Sequence, residues 1–200
     1  MPDDQTRREL DLIAVDVVRR DPDALGQLYE LTADMLASVA FGIVRDRAAA
    51  EDIVQDVFLK FVRVAGSIRN PDGPTLRAWL VRAVRNRCID HIRSARVRRE
   101  DTSAPLPEAP TRDDAGARTT VDDPDLLEAL QQLTEDQRQA VVLFHVAGLS
   151  GHEIAQTMNR NRPAVYRLLR RGEHRLREAL AGDNLAPLHR PHDEEGRHAT

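Results

Sequence analysis

Cysteine is almost absent from the sequence: Cys88 stands alone, so neither a disulfide framework nor a cysteine-based metal site can form within the chain. Aromatic residues make up only 4% of the 200 residues and glycine is scarce, whereas Ala, Leu, Val and Arg are abundant. This composition favours helices over strands and predicts an all-α protein with one or two small domains. Neither a secretory signal peptide nor a long apolar run is recognisable, so we expect a soluble cytoplasmic protein without membrane insertion.

Charge is unevenly distributed along the chain, although the net charge is only −4. Residues 1–62 carry 13 acidic and 7 basic residues, whereas residues 63–99 carry 2 acidic and 10 basic ones. Residues 100–128 carry 9 acidic and 2 basic residues, whereas residues 160–178 carry 2 acidic and 7 basic ones. Two basic blocks separated by an acidic one indicate two nucleic-acid contacts held apart by a linker. A coding bias toward arginine is the alternative, and the single lysine among the 29 basic residues supports it, but such a bias does not explain the clustering.

Hydrophobic spacing predicts four helices in the first half of the chain, after a frayed start over residues 1–8. These helices are expected over residues 10–19, 23–44, 48–64 and 76–98. The third is the most clearly amphipathic, with an apolar face formed by Ile53, Val54, Val57, Phe58 and Phe61.

A polar patch lies on the other side of this third helix. Asp52, Gln55 and Asp56 are spaced at i, i+3 and i+4, so they form one continuous acidic and polar surface beside Leu59. By itself, such a patch is also typical of an ordinary solvated helix face.

The loop over residues 66–75 contains Pro71, Gly73 and Pro74, which predicts a rigid, non-helical connection. The fourth helix then has an apolar face, on which Cys88 is expected to be a small core residue. Its basic face carries Arg82, Arg85, Asn86, Arg93 and Arg96.

Residues 100–124 contain much Pro, Asp, Ala and Thr and almost no large apolar residue. They cannot bury enough surface to offset the entropy lost on ordering, so we expect a flexible acidic linker. Two further helices are predicted over residues 125–133 and 135–147, and a disordered polar tail over residues 182–200.

Residues 149–177 have the pattern of two short helices joined by a tight turn. Ser150 and Glu153 fit a capping box at the start of the first helix, and Asn159 suits the left-handed backbone of a turn. Pro163 suits the first turn of the second helix, which is crowded with arginine. Such a helix-turn-helix could place its second helix in a DNA major groove. An ordinary helical hairpin with a solvated basic face is the alternative.

The order of these features resembles that of the extracytoplasmic-function (group 4) sigma factors of bacterial RNA polymerase, in the sigma-70 family. The features are a helical bundle, the motif AEDIVQDVF, a proline-bearing loop, the helix LRAWLVRAVRNRCIDHIR, a flexible linker and a terminal helix-turn-helix. The resemblance implies an all-α fold of two small helical domains. Residues 9–99 would dock on core polymerase and open the −10 element, 100–124 would connect the domains, and 125–181 would read the −35 element.

The resemblance also implies roles for residues of the first domain. Docking on the clamp helices of the largest polymerase subunit would use Asp52, Gln55, Asp56 and Leu59. Contacts with the −10 element would come from Asn70, Asp72, Arg77, Arg82, Arg85, Asn86 and Arg93. Within this set, Asn70 and Asp72 would line a pocket for an unstacked base of the nontemplate strand. Trp79, the only tryptophan, occupies a position that usually packs the bundle, so we expect it in the core.

For the second domain, the resemblance implies that the helix-turn-helix lies in the −35 major groove and rests on the polymerase flap. The −35 contacts would come from Arg160, Arg162, Tyr166, Arg167, Arg170 and Arg171. Several residues depart from the usual family pattern, among them Asn159, Pro163 and Gly172, so the recognised DNA sequence is not carried over. The linker either threads through the active-site cleft, imitating RNA by its charge, or is a bare tether. A dedicated anti-sigma protein is a further implied partner.

Other classes of function have less support in the sequence. Adjacent pairs such as Asp90 and His91 diverge by about 100° on a helix, and no phosphate loop or nucleophile motif is present, so we expect neither an enzyme nor a bound cofactor. The tail residues His189, His192 and His198 could hold a metal weakly, but a disordered polar tail is the preferred interpretation and no metal site is predicted. Two alternatives stay open: a one-component helix-turn-helix regulator, and a degenerate sigma-like protein that binds polymerase but initiates poorly.

Overall fold

The computed structural model describes residues 4–69, 72–101 and 123–181, and within these ranges it contains eight α-helices, one short 3-10 helix and no strand. This confirms the predicted all-α fold class with a helix-turn-helix near its end. The α-helices are α1 (Asp4–Val18), α2 (Pro22–Val44), α3 (Arg47–Val64), α4 (Gly73–Asp101), α5 (Pro124–Gln131), α6 (Glu135–His145), α7 (Gly151–Met158) and α8 (Arg162–Leu180). The 3-10 helix is Ala65–Ser67.

Short polar residues begin the helices of the first half. Asp21 caps α2 by accepting hydrogen bonds from the backbone N–H groups of Asp23 and Ala24, and Asp46 caps α3 by accepting from that of Ala49. These carboxylates satisfy donors that a helix leaves unpaired at its start. Only Arg45 and Asp46 separate α2 from α3, so the polar patch of α3 is held rigidly on the bundle.

The core of the first half is built from the apolar faces that the sequence predicted. Phe61, Leu76 and Leu80 are fully buried, and Phe61 meets Trp79 edge-on with 5.2 Å between the ring centroids. This contact confirms Trp79 as a packing residue. Cys88 is also fully buried, as expected, and burial raises the pKa of its thiol to about 12.

The caps predicted for the helix-turn-helix are present. The Ser150 hydroxyl accepts from the Glu153 backbone N–H at 3.3 Å, and a Glu153 carboxylate oxygen accepts from the Ser150 backbone N–H at 2.7 Å. Asn159 ends α7 in the left-handed conformation, with φ 52°. Asn161 caps α8, and Pro163 lies in the first turn of that helix. The tight turn therefore follows from its local sequence.

Gly172 has a packing role that the sequence did not reveal. It is buried in α8, and a Cβ atom at this position would lie 2.8 Å from Val141 Cγ2 of α6. The missing side chain lets α8 approach α6 closely. The departure from the family pattern at this position is therefore accommodated by contact with α6.

Several predicted boundaries are wrong. Helix α1 begins at Asp4 within the segment expected to be frayed, and α4 begins at Gly73 within the loop expected to be non-helical. Pro74 is compatible with this start of α4, because the backbone N–H that proline lacks is not needed in the first turn of a helix. The 3-10 helix also lies partly in this loop, and α4 continues to Asp101, where no proline interrupts it. Most of the predicted linker and the predicted tail lie outside the described residues.

The two halves of the chain are in direct contact. Helix α2 packs against α6, and a Cβ atom at Gly42 would lie 2.9 Å from Val142 Cγ2. Buried apolar residues from both halves belong to one continuous core.

We expect Gly172→Ala to destabilise the protein, although alanine is the better helix former by about 1 kcal/mol. Its methyl group would clash with Val141, whose branched side chain turns stiffly about χ1. Thermal unfolding would show a lower melting temperature for Gly172→Ala. The matched control is Gly26→Ala in α2, where a Cβ meets nothing within 4 Å and the melting temperature should rise. Equal stabilisation by both substitutions would contradict the packing role of Gly172.

Candidate polymerase and nucleic-acid interfaces

The polar patch of α3 is at the surface. Asp52 and Gln55 are exposed, and the side chain of Leu59 is 63% exposed beside them. Asp56 is only half-buried and accepts hydrogen bonds from the Arg87 guanidinium of α4 at 3.0 and 3.3 Å. The structure therefore brings the four predicted residues to one surface. It also adds Arg87, which sequence spacing within α3 could not reveal.

A shallow groove between α2 and α3 extends this surface. Tyr29, Phe41 and Val54 supply its apolar lining, while Asp34 and Glu51 add two acidic groups. None of these residues was predicted as a binding residue. Their association depends on how α2 and α3 are paired. Helical spacing predicts Tyr29 on the buried stripe of α2, but its side chain is 43% exposed.

The residues predicted to contact the −10 element do not share one environment. Asn70 lies outside the described residues. Asp72 is exposed immediately before α4, and its carbonyl accepts from the Leu76 N–H at 3.0 Å. Arg82, Asn86 and Arg93 are all exposed on α4, at spacings of four and seven residues that place them on one stripe. This stripe is an open basic surface.

Arg77 and Arg85 instead reach toward the second half of the chain. Arg77 Nη2 donates to the carbonyl of Ala147, just after α6. Arg85 Nε donates to Gln139 Oε1 at 3.0 Å, and Nη1 donates to the carbonyl of Thr157 at 3.4 Å, in the last turn of α7. Burial lowers the pKa of Arg85. Arg85 Nη1 also donates to Asn86 Oδ1 at 3.3 Å, so Arg85 lies between the open stripe and the second half.

The basic surface of the helix-turn-helix lies on and before α8. Arg162, Arg167, Arg170 and Arg171 are exposed. Tyr166 is 42% exposed, and its hydroxyl group lies over Gly151, where an added Cβ would meet it at 2.9 Å.

Arg160 is held at one edge of this surface, because its Nη2 donates to Asp136 Oδ2 of α6 at 2.7 Å. Asp136 also lines a shallow depression with Arg160, Arg167 and Arg171. Asp136 could not be recognised from sequence spacing, since its separation from Arg160 by 24 residues carries no periodic signal.

No group of three or more His, Cys, Asp or Glu residues able to hold a metal occurs in residues 4–69, 72–101 and 123–181. The tail histidines lie outside these ranges. His145 instead pairs with Glu173 at 2.9 Å and joins α6 to α8. Among the described helices, none combines the length and apolar character needed to cross a membrane.

Two family models match the chain: Sigma-70 region 2 over residues 28–98, and Sigma-70, region 4, over residues 124–176. The ECF RNA polymerase sigma factor BldN of Streptomyces coelicolor is 30% identical over 82% of this chain, but the match spans only 62% of BldN. The RNA polymerase sigma factor CarQ of Myxococcus xanthus is 35% identical over 79% of this chain and 90% of CarQ.

Solved structures agree with these relatives. The sigma factor RpoE of Bartonella quintana, in complex with the anti-sigma factor NepR, has a TM-score of 0.66 and 26% identity, covering 80% of this chain and 99% of RpoE. CnrH, in complex with the cytosolic domain of CnrY, has a TM-score of 0.59 over 88% of this chain and 99% of CnrH, and at 22% identity it shows likeness of fold alone. With both sigma-70 regions present in order and CarQ matched over almost its whole length, the chain belongs to the extracytoplasmic-function sigma factors of the sigma-70 family, which bind RNA polymerase and direct it to promoters.

Proposed function

We propose that this sigma factor divides its work between its two halves. Residues 9–99 dock on core polymerase and open the −10 element, residues 125–181 read the −35 element, and residues 100–124 connect them as a tether or as an RNA mimic. The observation that carries this proposal is the arrangement of the first half. An acidic patch on α3 and a basic stripe on α4 are both exposed and are fixed on one bundle.

Docking on polymerase is assigned to Asp52, Gln55, Asp56 and Leu59. An acidic surface with an exposed leucine complements a basic coiled coil that carries apolar side chains, which is the chemistry expected of the clamp helices. The Arg87 contact holds the Asp56 carboxylate in place while leaving it about half exposed. The groove between α2 and α3, which Arg47 lines together with Asp34 and Glu51, offers the same partner additional area.

Opening of the −10 element is assigned to the start of α4 and its basic stripe. Melting requires a nontemplate base to leave the stack, at a cost of a few kcal/mol that stacking and backbone contacts offset. Arg82, Asn86 and Arg93 are spaced to follow a strand backbone, while Asn70 and Asp72 would line the pocket for the unstacked base. Arg77 and Arg85 would join them only when released from the second half.

Reading of the −35 element is assigned to α8, whose N-terminal residues would enter the major groove. Arg162, Tyr166, Arg167, Arg170 and Arg171 would contact bases and phosphates. Arg160 would contact the backbone from a position set by Asp136. The polymerase flap would support this half from the other side.

We also propose a dedicated anti-sigma protein as the regulator, since RpoE, similar in fold and sequence, was solved with the anti-sigma factor NepR. The site of action would be the cytoplasm, where RNA polymerase meets promoter DNA. The chain would act by binding alone, with no catalytic step, cofactor or metal of its own.

Run-off transcription tests the proposed function as a whole. Purified chain, core polymerase and a DNA fragment from upstream of the gene should give a specific transcript that core polymerase alone does not give. Intact core binding without a transcript would support the degenerate sigma-like alternative. Specific binding to the fragment in the absence of polymerase would support the one-component regulator.

Charge reversal on α3 should weaken the binding of core polymerase. Asp52→Arg places a cation where a basic partner would dock, so we expect the Kd to rise at least ~10-fold, equivalent to about 1.4 kcal/mol. Asp52 is preferable to Asp56, because changing Asp56 would also break its ion pair with Arg87. Fluorescence anisotropy with labelled protein would measure the Kd.

The control for this charge reversal is Glu128→Arg, which makes the same change of charge at an exposed position of α5. It should bind polymerase normally. An equal loss of affinity in both variants, or none in either, would contradict the docking assignment.

Removal of two arginines from α8 should weaken dependence on the −35 element without affecting polymerase binding. For Arg167→Ala combined with Arg171→Ala, holoenzyme affinity for the promoter should fall by about 1–3 kcal/mol per lost base contact. Where phosphate contacts are lost, the slope of the logarithm of the binding constant against the logarithm of the salt concentration should become shallower by about 0.9 per contact. Arg177→Ala, exposed in the last turn of the same helix, is the matched control and should bind normally. Loss of polymerase binding in the double variant would indicate misfolding instead.

A further inference from the structure

Gly151, the first residue of α7, leaves room for the side chain of Tyr166 from α8. Gly151 is buried, and a Cβ atom built on it would lie 2.9 Å from Tyr166 Oη, 3.0 Å from Cζ and 3.4 Å from Cε1. A methyl group at this position would overlap the hydroxyl group, and such overpacking forces a side chain to move. The present position of the tyrosine ring therefore requires glycine at residue 151.

This contact fixes which part of Tyr166 is turned outward. The hydroxyl group, Cζ and Cε1 are the atoms nearest to Gly151, so the opposite ring edge, with Cδ2 and Cε2, is turned away from that residue. Tyr166 is 42% exposed. The polar end of the tyrosine thus lies against α7, while the ring edge that points away from α7 is apolar.

Tyr166 lies within the arginine-rich surface of α8. Arg162 and Arg170 are each four residues from Tyr166, so the three side chains form one stripe along the helix, and both arginines are exposed. Tyr166 is the only strongly exposed large apolar side chain in residues 149–177, all of which the structure describes. DNA bound along this stripe would meet two cations and, between them, one aromatic ring.

Thymine is the base that this stripe fits. In the major groove, guanine presents two acceptors that suit arginine donors, whereas thymine presents a 5-methyl group beside its O4 acceptor. That methyl group is the one apolar group among the base edges of the major groove. An aromatic ring edge can cover it and remove it from water, which is favourable.

A backbone phosphate is a poorer ligand for the tyrosine hydroxyl group in this position. The start of a helix attracts anions through its unpaired N–H groups. At the start of α7, however, the Glu153 carboxylate already accepts hydrogen bonds from the Ser150 backbone N–H and hydroxyl group, each at 2.7 Å. Its negative charge opposes a phosphate at this end of α7. A contact between the ring and a base is therefore favoured over a contact between the hydroxyl group and the DNA backbone.

We propose that Tyr166 is a specificity-determining residue that recognises a thymine methyl group in the −35 element, and that Gly151 is a positioning residue that holds the ring for this contact. The inference rests on the proposed function of α8 as the −35 reader and adds to it the identity of one base. It also gives a role in recognition to a glycine of the other helix of the motif.

Selection of promoter DNA by holoenzyme tests the role of Tyr166. The probe is the DNA fragment from upstream of the gene, with the base pairs around the −35 element randomised. Wild-type holoenzyme should enrich thymine at one position. Tyr166→Phe should retain this enrichment because it keeps the ring, whereas Tyr166→Ala should lose it at that position alone.

Replacement of the enriched thymine by uracil removes only the methyl group. Wild-type holoenzyme should bind the uracil probe about 4-fold more weakly, the effect expected for one buried methyl group. Holoenzyme with Tyr166→Ala should bind both probes equally. Equal affinity of the wild type for the two probes would overturn the proposal, because the ring would then not contact the methyl group.

Gly151→Ala tests the positioning role. Its methyl group displaces the ring, so the preference for thymine over uracil should disappear, while binding of core polymerase is kept. In the Tyr166→Ala background, the same substitution should change the preference no further, which separates positioning from a loss of stability. Gly26→Ala is the matched control, since a Cβ there meets nothing within 4 Å. An unchanged preference in Gly151→Ala would refute the role of Gly151.

Failure of this proposal and failure of the proposed function give different results. If wild-type holoenzyme enriches no base in the randomised segment, the assignment of α8 as the −35 reader fails, and the thymine contact fails with it. If bases are enriched but none of them depends on Tyr166, only the thymine contact fails.

Discussion

The packing of helix α2 against its neighbours is the constraint on which the rest of the structure depends. Nine of its residues are buried, and it packs against α1, α3, α4 and α6. The two buried hydroxyl groups, of Thr32 and Ser38, donate to backbone carbonyls of the same helix, so burial leaves neither donor unsatisfied. Val142 of α6 packs against Gly42, and this contact is favourable because it removes apolar surface from water. The contact between the halves is thus part of the core.

Two surfaces of opposite charge lie on neighbouring helices of the first half. The acidic patch belongs to α3 and the basic stripe to α4, and the ion pair between Asp56 and Arg87 joins them. A pair this exposed contributes little stability, but it fixes the relative positions of two side chains. Since both surfaces are carried by one packed bundle, the proposed docking of α3 on polymerase would also set where α4 meets DNA.

Arginine side chains occur in three different environments in the part of the chain that the structure describes. Arg82 and Arg93 are exposed, Arg160 is paired with Asp136, and Arg77 and Arg85 contact helix ends of the other half. The first group is exposed to solvent. The last group is held by contacts with the second half of the chain.

The sequence by itself determined what arises from neighbours along the chain. Helical spacing predicted the buried faces, Trp79 and Cys88 among them, and capping chemistry predicted the turn between α7 and α8. These features depend on residues three or four positions apart. The predicted start of α4 was wrong because proline is compatible both with a loop and with the first turn of a helix.

Tertiary structure alone decided which helix faces meet. The close approach at Gly172, the Asp136 partner of Arg160, and the burial of Arg77 and Arg85 all join residues 24 to 72 positions apart. Periodicity shows that a side chain lies on a helix face, but not whether that face contacts solvent, DNA or another helix. That outcome depends on the packing of whole helices, since the free energy of burial depends on the matched shapes of both surfaces.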